Sequence, residues 1–116
     1  MYEHLDSRIL LWQMFNYDRM IYETEDGDFE LDSYEGFIRI SSLLIISSVR
    51  DINTASHIME VLGHINKKLD NRFSCCFEDN AFWIFILLKP GASIEEIKDE
   101  AHNLFLEKKL LEEEQE

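Results

Sequence analysis

The stretch Arg72-Phe73-Ser74-Cys75-Cys76-Phe77-Glu78-Asp79-Asn80-Ala81-Phe82-Trp83-Ile84-Phe85-Ile86-Leu87-Leu88 decides the fold. It reads as a hairpin in which two apolar runs meet at Asp79-Asn80, residues suited to the positive backbone angles of a two-residue loop. Such a loop pairs Glu78 with Ala81 and Phe77 with Phe82, and therefore Cys75 with Ile84 and Phe73 with Ile86. Directly paired residues share a face of a sheet. Phe73, Cys75, Phe77, Phe82, Ile84 and Ile86 then form an inner row, while Trp83, Phe85 and Leu87 lie outside with Ser74, Cys76 and Glu78. A three-residue loop, Glu78–Asn80, would exchange the two rows, because a one-residue slip sends every side chain to the opposite face. Either way Ala81–Leu88 is apolar on both faces. A domain this small has helices enough to cover one face of a sheet, so the other face needs a second cover.

On either side of the hairpin the apolar period becomes helical. Upstream, Ile52–Asp70 places Ala55, Ile58, Met59, Leu62, Ile65 and Leu69 on one face, with Lys67 and Lys68 in the last turns where cations favour the helix dipole. Downstream, Lys89-Pro90-Gly91 stops the strand and Ser93–Leu111 forms a second helix. Ser93 and Glu96 fit a capping box, Ala92 and Ile97 the accompanying staple, and Ile97, Ala101, Leu104 and Phe105 the core stripe.

Further upstream, Phe37–Val49 is too rich in Ile and Leu for a surface helix and reads as a long strand, bent at Ser41-Ser42. Its even positions, Ile38, Ile40, Leu44 and Ile46, point toward the helices, which leaves Leu43 and Ile45 on the outer side. Tyr17–Glu23 and Phe29–Asp32 read as two more strands, with Glu25–Asp28 and Ser33–Gly36 as turns. Leu5, Ile9, Trp12 and Phe15 recur at helical spacing and predict a first helix. Gly63, inside a helix, marks a place where another element approaches closely. The expected fold is α+β, an antiparallel sheet packed by helices in the order α-β-β-β-α-β-β-α. Residues 1–111 make a single domain, and 112–116 an acidic tail expected to be disordered.

The chain has 116 residues, 24 acids against 11 bases and a formal charge of −13. Phosphate backbones repel such a chain, so no direct nucleic-acid binding is expected and basic protein surfaces are favoured instead. No apolar run is long enough to span a bilayer, and the N-terminus carries acids where a signal peptide carries cations, so the expected location is the cytoplasm, away from membranes. Cys75 and Cys76 are neighbours on a strand, one facing the core and one facing out, and cannot staple the fold.

The phrases His64–Cys75, Glu78–Trp83 and Leu87–Ile97 resemble the YbjN-domain family, which shares its fold with type III secretion chaperones of the Tir-chaperone kind. The resemblance runs over residues 55–107: a helix ending in Asn66-Lys67-Lys68-Leu69, a hairpin with an acidic turn, a strand ending near Pro90-Gly91 and a closing helix. It implies a small acidic cytosolic domain, dimeric, that holds or regulates another protein without a cofactor or a reaction.

No motif for chemistry competes with that reading. His4, His57, His64 and His102 lack the spacing of a zinc helix, and Glu25–Asp32 lacks the glycine and glutamate of a calcium loop in register, so no metal and no cofactor are expected. Neither a nucleophile elbow nor a phosphate loop occurs. The sequence therefore points to a non-enzymatic protein-binding domain, a homodimer, that captures a hydrophobic partner segment through Trp83, Phe85, Leu87, Leu43 and Ile45. The alternative is an acidic, immunity-type inhibitor that blocks a basic active site.

Overall fold

Asp79 and Asn80 take φ values of 53° and 60° and close the hairpin as a two-residue loop, with Glu78 opposite Ala81. The computed structural model describes residues 9–10, 12–13, 19–24, 27–44 and 55–114. They form β1 (Met20–Thr24), β2 (Gly27–Tyr34), β3 (Phe37–Leu44), α1 (Ala55–Lys68), β4 (Phe73–Glu78), β5 (Ala81–Leu88) and α2 (Ile94–Glu114), an α+β fold as expected. Ile9, Leu10, Trp12 and Gln13 are also helical, and the rest of the expected first helix lies outside the described residues.

All five strands join one antiparallel sheet in the order β1-β2-β3-β5-β4. β5 is thus an interior strand, hydrogen-bonded to β3 on one side and β4 on the other. Its lack of polar side chains suits a strand that has no solvent edge. The register is the one the two-residue loop dictates: Phe73 faces Ile86, Cys75 faces Ile84 and Phe77 faces Phe82. β3 extends the inner row, with Ile38, Ile40 and Leu44 buried, and its pairing with β5 runs unbroken through Ser41 and Ser42, where a bend was expected. Residues 45–50, including Ile45 and Ile46, lie outside the described residues.

The inner rows and the helices share one core. Ile65 and Leu69 from the α1 end, and Ile97, Ala101, Leu104, Phe105 and Leu111 from α2, cluster with Phe82, Ile84 and Ile86. Phe105 meets Phe29 edge-on at 5.7 Å, and Phe29 stacks on its cross-strand partner Tyr22 at 5.3 Å. Ser42, fully buried on the same side, donates its hydroxyl to the Asp28 carbonyl at 2.8 Å and accepts from Lys108 Nζ at 3.1 Å, so its burial leaves no orphaned hydroxyl.

Several boundaries differ from the sequence reading. β2 is longer than Phe29–Asp32 because it pairs on both sides, so Ser33 and Tyr34 belong to the strand and only Glu35-Gly36 turns, with φ of 50° and 86°. β1 begins at Met20, three positions after Tyr17. Met59 is 68% exposed, not core. The line of α1 that meets the sheet runs through Ile58, Val61, Leu62 and Ile65, and a helix lying along one edge strand buries a narrower stripe than the hydrophobic pattern spans. A Cβ on exposed Gly63 would meet nothing within 4 Å, so no close approach explains that glycine. α2 runs past Leu111 through Glu112, Glu113 and Glu114, because the buried Leu111 anchors the last turns and glutamate is a good helix former. The cap is as expected: the Glu96 N–H donates to Ser93 Oγ at 3.1 Å, with Ala92 and Ile97 both buried.

Candidate outer-face docking site

The face of the sheet opposite the helices carries alternate residues of every strand. Leu43 pairs with Trp83, Ser41 with Phe85 and Arg39 with Leu87 across β3 and β5, and Cys76 and Ser74 continue the first two rows on β4. Four of the five residues expected to meet a partner are therefore neighbours on one surface; the fifth, Ile45, lies outside the described residues. Leu43 and Leu87 are 41% and 39% exposed, whereas Trp83 and Phe85 are half-buried. Phe37 and Tyr34, opposite each other at the β2–β3 turn, add exposed aromatic surface that the sequence reading left out.

Trp83 and Phe85 lie where the sheet curls. Arg39 is level with Leu87 and Glu78 with Ala81, six residues apart along β5, or about 20 Å in a flat strand. Yet Arg39 Nη1 lies 3.6 Å from Glu78 Oε1. Side chains of this length cannot span a flat sheet, so strand twist has folded this diagonal of the outer face into a concavity. A shallow cleft of about 60 Å³ results, with Ser41, Cys76, Trp83 and Phe85 among its lining and Arg39 and Glu78 facing across it.

Arg39 is held in place from two directions. Its Nε and Nη2 donate to the two carboxylate oxygens of its cross-strand partner Asp32 at 2.9 and 2.6 Å, and its guanidinium lies 4.7 Å from the centre of the Tyr34 ring. The hydrogen bond to Asp32 raises the guanidinium pKa further above its already high value, against the opposing effect of burial. A second fork, Arg19 to Glu30 at 3.0 and 2.6 Å, closes the β1 side. The Trp83 ring is fixed by its Nε1–H, which donates to the Glu78 carbonyl at 3.0 Å. The apolar strip expected from the sequence is thus an aromatic floor ringed by charge. The ring of charge was not expected from the sequence, where Arg39, the one charged residue in Phe37–Val49, is the feature that could have revealed it.

The site offers little for bond chemistry. Burial first, and the neighbouring Cys76 second, push the Cys75 thiol up to about 12; burial, then Glu78, push Cys76 up to about 11 with Arg39 opposing. Both thiols are poor nucleophiles at neutral pH. Among the described residues no group of three or more His, Cys, Asp or Glu is placed to hold a metal ion, and no helix is long and apolar enough to cross a membrane.

A single antiparallel sheet of this order, with helices against one face, is an architecture this chain shares with a solved structure. One solved structure with this likeness is "Structure of the heterodimeric complex ExoU-SpcU from the type III secretion system (T3SS) of Pseudomonas aeruginosa". One of its chains matches with a TM-score of 0.51 at 12% identity, over 86% of this chain and 87% of that chain. Shared architecture is what such a match establishes. No family model and no curated protein sequence matches the chain.

Proposed function

We propose that this chain is a non-enzymatic, chaperone-like or regulatory protein-binding domain of the cytoplasm that captures a hydrophobic segment of a partner protein on the outer face of its sheet. One observation carries the reading: Leu43, Trp83, Phe85 and Leu87 stand side by side on the face opposite the helix-covered core. Buried apolar surface contributes about 25 cal/mol per Å², so several such side chains can sustain an interface after association costs are met. The likeness to a chain of a heterodimeric type III secretion complex agrees with a partner-binding role. The YbjN-like phrases over residues 55–107 belong to the same reading, as does a homodimer. Leu106 and Leu110, one turn apart on α2 and 50% and 57% exposed, are the helical surface a second copy would cover.

Photo-crosslinking tests it. A benzophenone amino acid placed at Leu87 should trap the co-purifying native partner, whereas the same group at exposed His102 on α2 should not. Trapping only from position 102 would place capture on the helices and overturn the reading.

A further inference from the structure

The outer face is not neutral, and its imbalance specifies what it takes. Two of its acids are already satisfied, Glu30 by Arg19 and Asp32 by Arg39, each through two hydrogen bonds. Glu78 and Asp79 are left at the hairpin end of the cleft. Glu78 is 53% exposed and touches Arg39 at 3.6 Å without a hydrogen bond, and exposed Asp79 forms no ion pair among the described residues. The six charged residues lining the cleft thus comprise four acids and two bases. These surplus carboxylates share the cleft with the rings of Trp83 and Phe85, whose faces attract cations.

Resting on the proposed function above, we infer that the partner segment is an extended chain carrying a lysine or arginine seated at Glu78 and Asp79, with apolar side chains at alternate positions lying along Phe85 and Leu87. The spacing fits. Trp83 to Leu87 covers about 13 Å of strand, the length of some five extended residues, and an extended chain turns every second side chain toward the surface. Charge complementarity selects this occupant over an acidic segment, which the same two carboxylates repel.

Three synthetic peptides titrated calorimetrically into the full chain decide the matter: acetyl-Val-Lys-Val-Leu-Val-Leu-amide and its versions with norleucine or glutamate in place of lysine. The lysine peptide should bind about fivefold tighter than the norleucine peptide, and the glutamate peptide weakest. Raising salt from about 50 mM to about 500 mM should shrink that advantage. The double variant Glu78→Gln, Asp79→Asn should abolish it while leaving the norleucine peptide unchanged; asparagine tolerates the positive φ at position 79. Equal binding of the lysine and norleucine peptides, or preference for glutamate, overturns the charge selection and leaves capture standing. Binding by none of the three, or a second copy of the chain occluding Trp83, overturns capture on this face and this inference with it.

Discussion

The side-chain amide of Asn66 closes both outward backbone bonds of Cys75: the Cys75 N–H donates to Asn66 Oδ1 at 2.9 Å, and Asn66 Nδ2 donates to the Cys75 carbonyl at 3.3 Å. Asn66 sits on α1 and Cys75 on β4, the edge strand of the sheet among the described residues, so the amide takes the place of a neighbouring strand there. An open strand edge is a template for pairing with other chains. Asn66→Ala should therefore cost about 1–2 kcal/mol in urea unfolding, with unchanged m, and raise the tendency to self-associate at high concentration. Asn66→Asp keeps the acceptor and loses the donor, and should fall between the two.

The turn makes a second prediction. Asn80 at φ 60° is tolerable for asparagine and strained for a β-branched residue, so Asn80→Val should destabilise by about 1–2 kcal/mol and Asn80→Gly should be near neutral. Thermal unfolding of the two variants measures this.

Thiol ionisation gives a third. With Cys76 pushed up to about 11 from an ordinary 9.0, the folded protein carries roughly 100-fold less thiolate there at pH 8 than a free cysteine, and iodoacetamide should modify it correspondingly slowly. Both thiol pKa values are raised on folding, so the unfolded chain loses these protons first. The stabilisation is complete below about pH 9 and declines as pH climbs through the folded values of about 11 and 12. The double variant Cys75→Ala, Cys76→Ser should flatten that part of the alkaline decline in urea midpoint.

If α2 forms the dimer contact, Leu106→Gln with Leu110→Gln should shift sedimentation from dimer to monomer at micromolar concentration. The thermal midpoint of the monomer should hardly change, because both side chains are exposed. A monomeric parent chain would remove the homodimer from the proposal.

Much of this was legible in residues 72–88. Asp79-Asn80 is short and tolerant of positive φ, so the loop length, the register and the inner row all followed from local chemistry. Met59 departs from the expectation for a physical reason: periodicity shows which side of a helix is apolar, and not how wide a strip its neighbour covers. The concavity was illegible because it comes from twist accumulated over three strands, which brings Arg39 to Glu78 from six residues away in register. Asn66 stood in plain view in Asn66-Lys67-Lys68-Leu69, yet its role depends on an edge strand whose place only the sheet order reveals.

The central claim is that the outer sheet face, and not the helical side, holds the partner segment. Backbone amide chemical-shift mapping of the full chain with the lysine peptide tests it most directly. The account predicts that the shifted amides concentrate at Arg39, Ser41, Leu43, Glu78, Trp83, Phe85 and Leu87. Shifts confined to α1 and α2, with those strand positions unmoved, would contradict it.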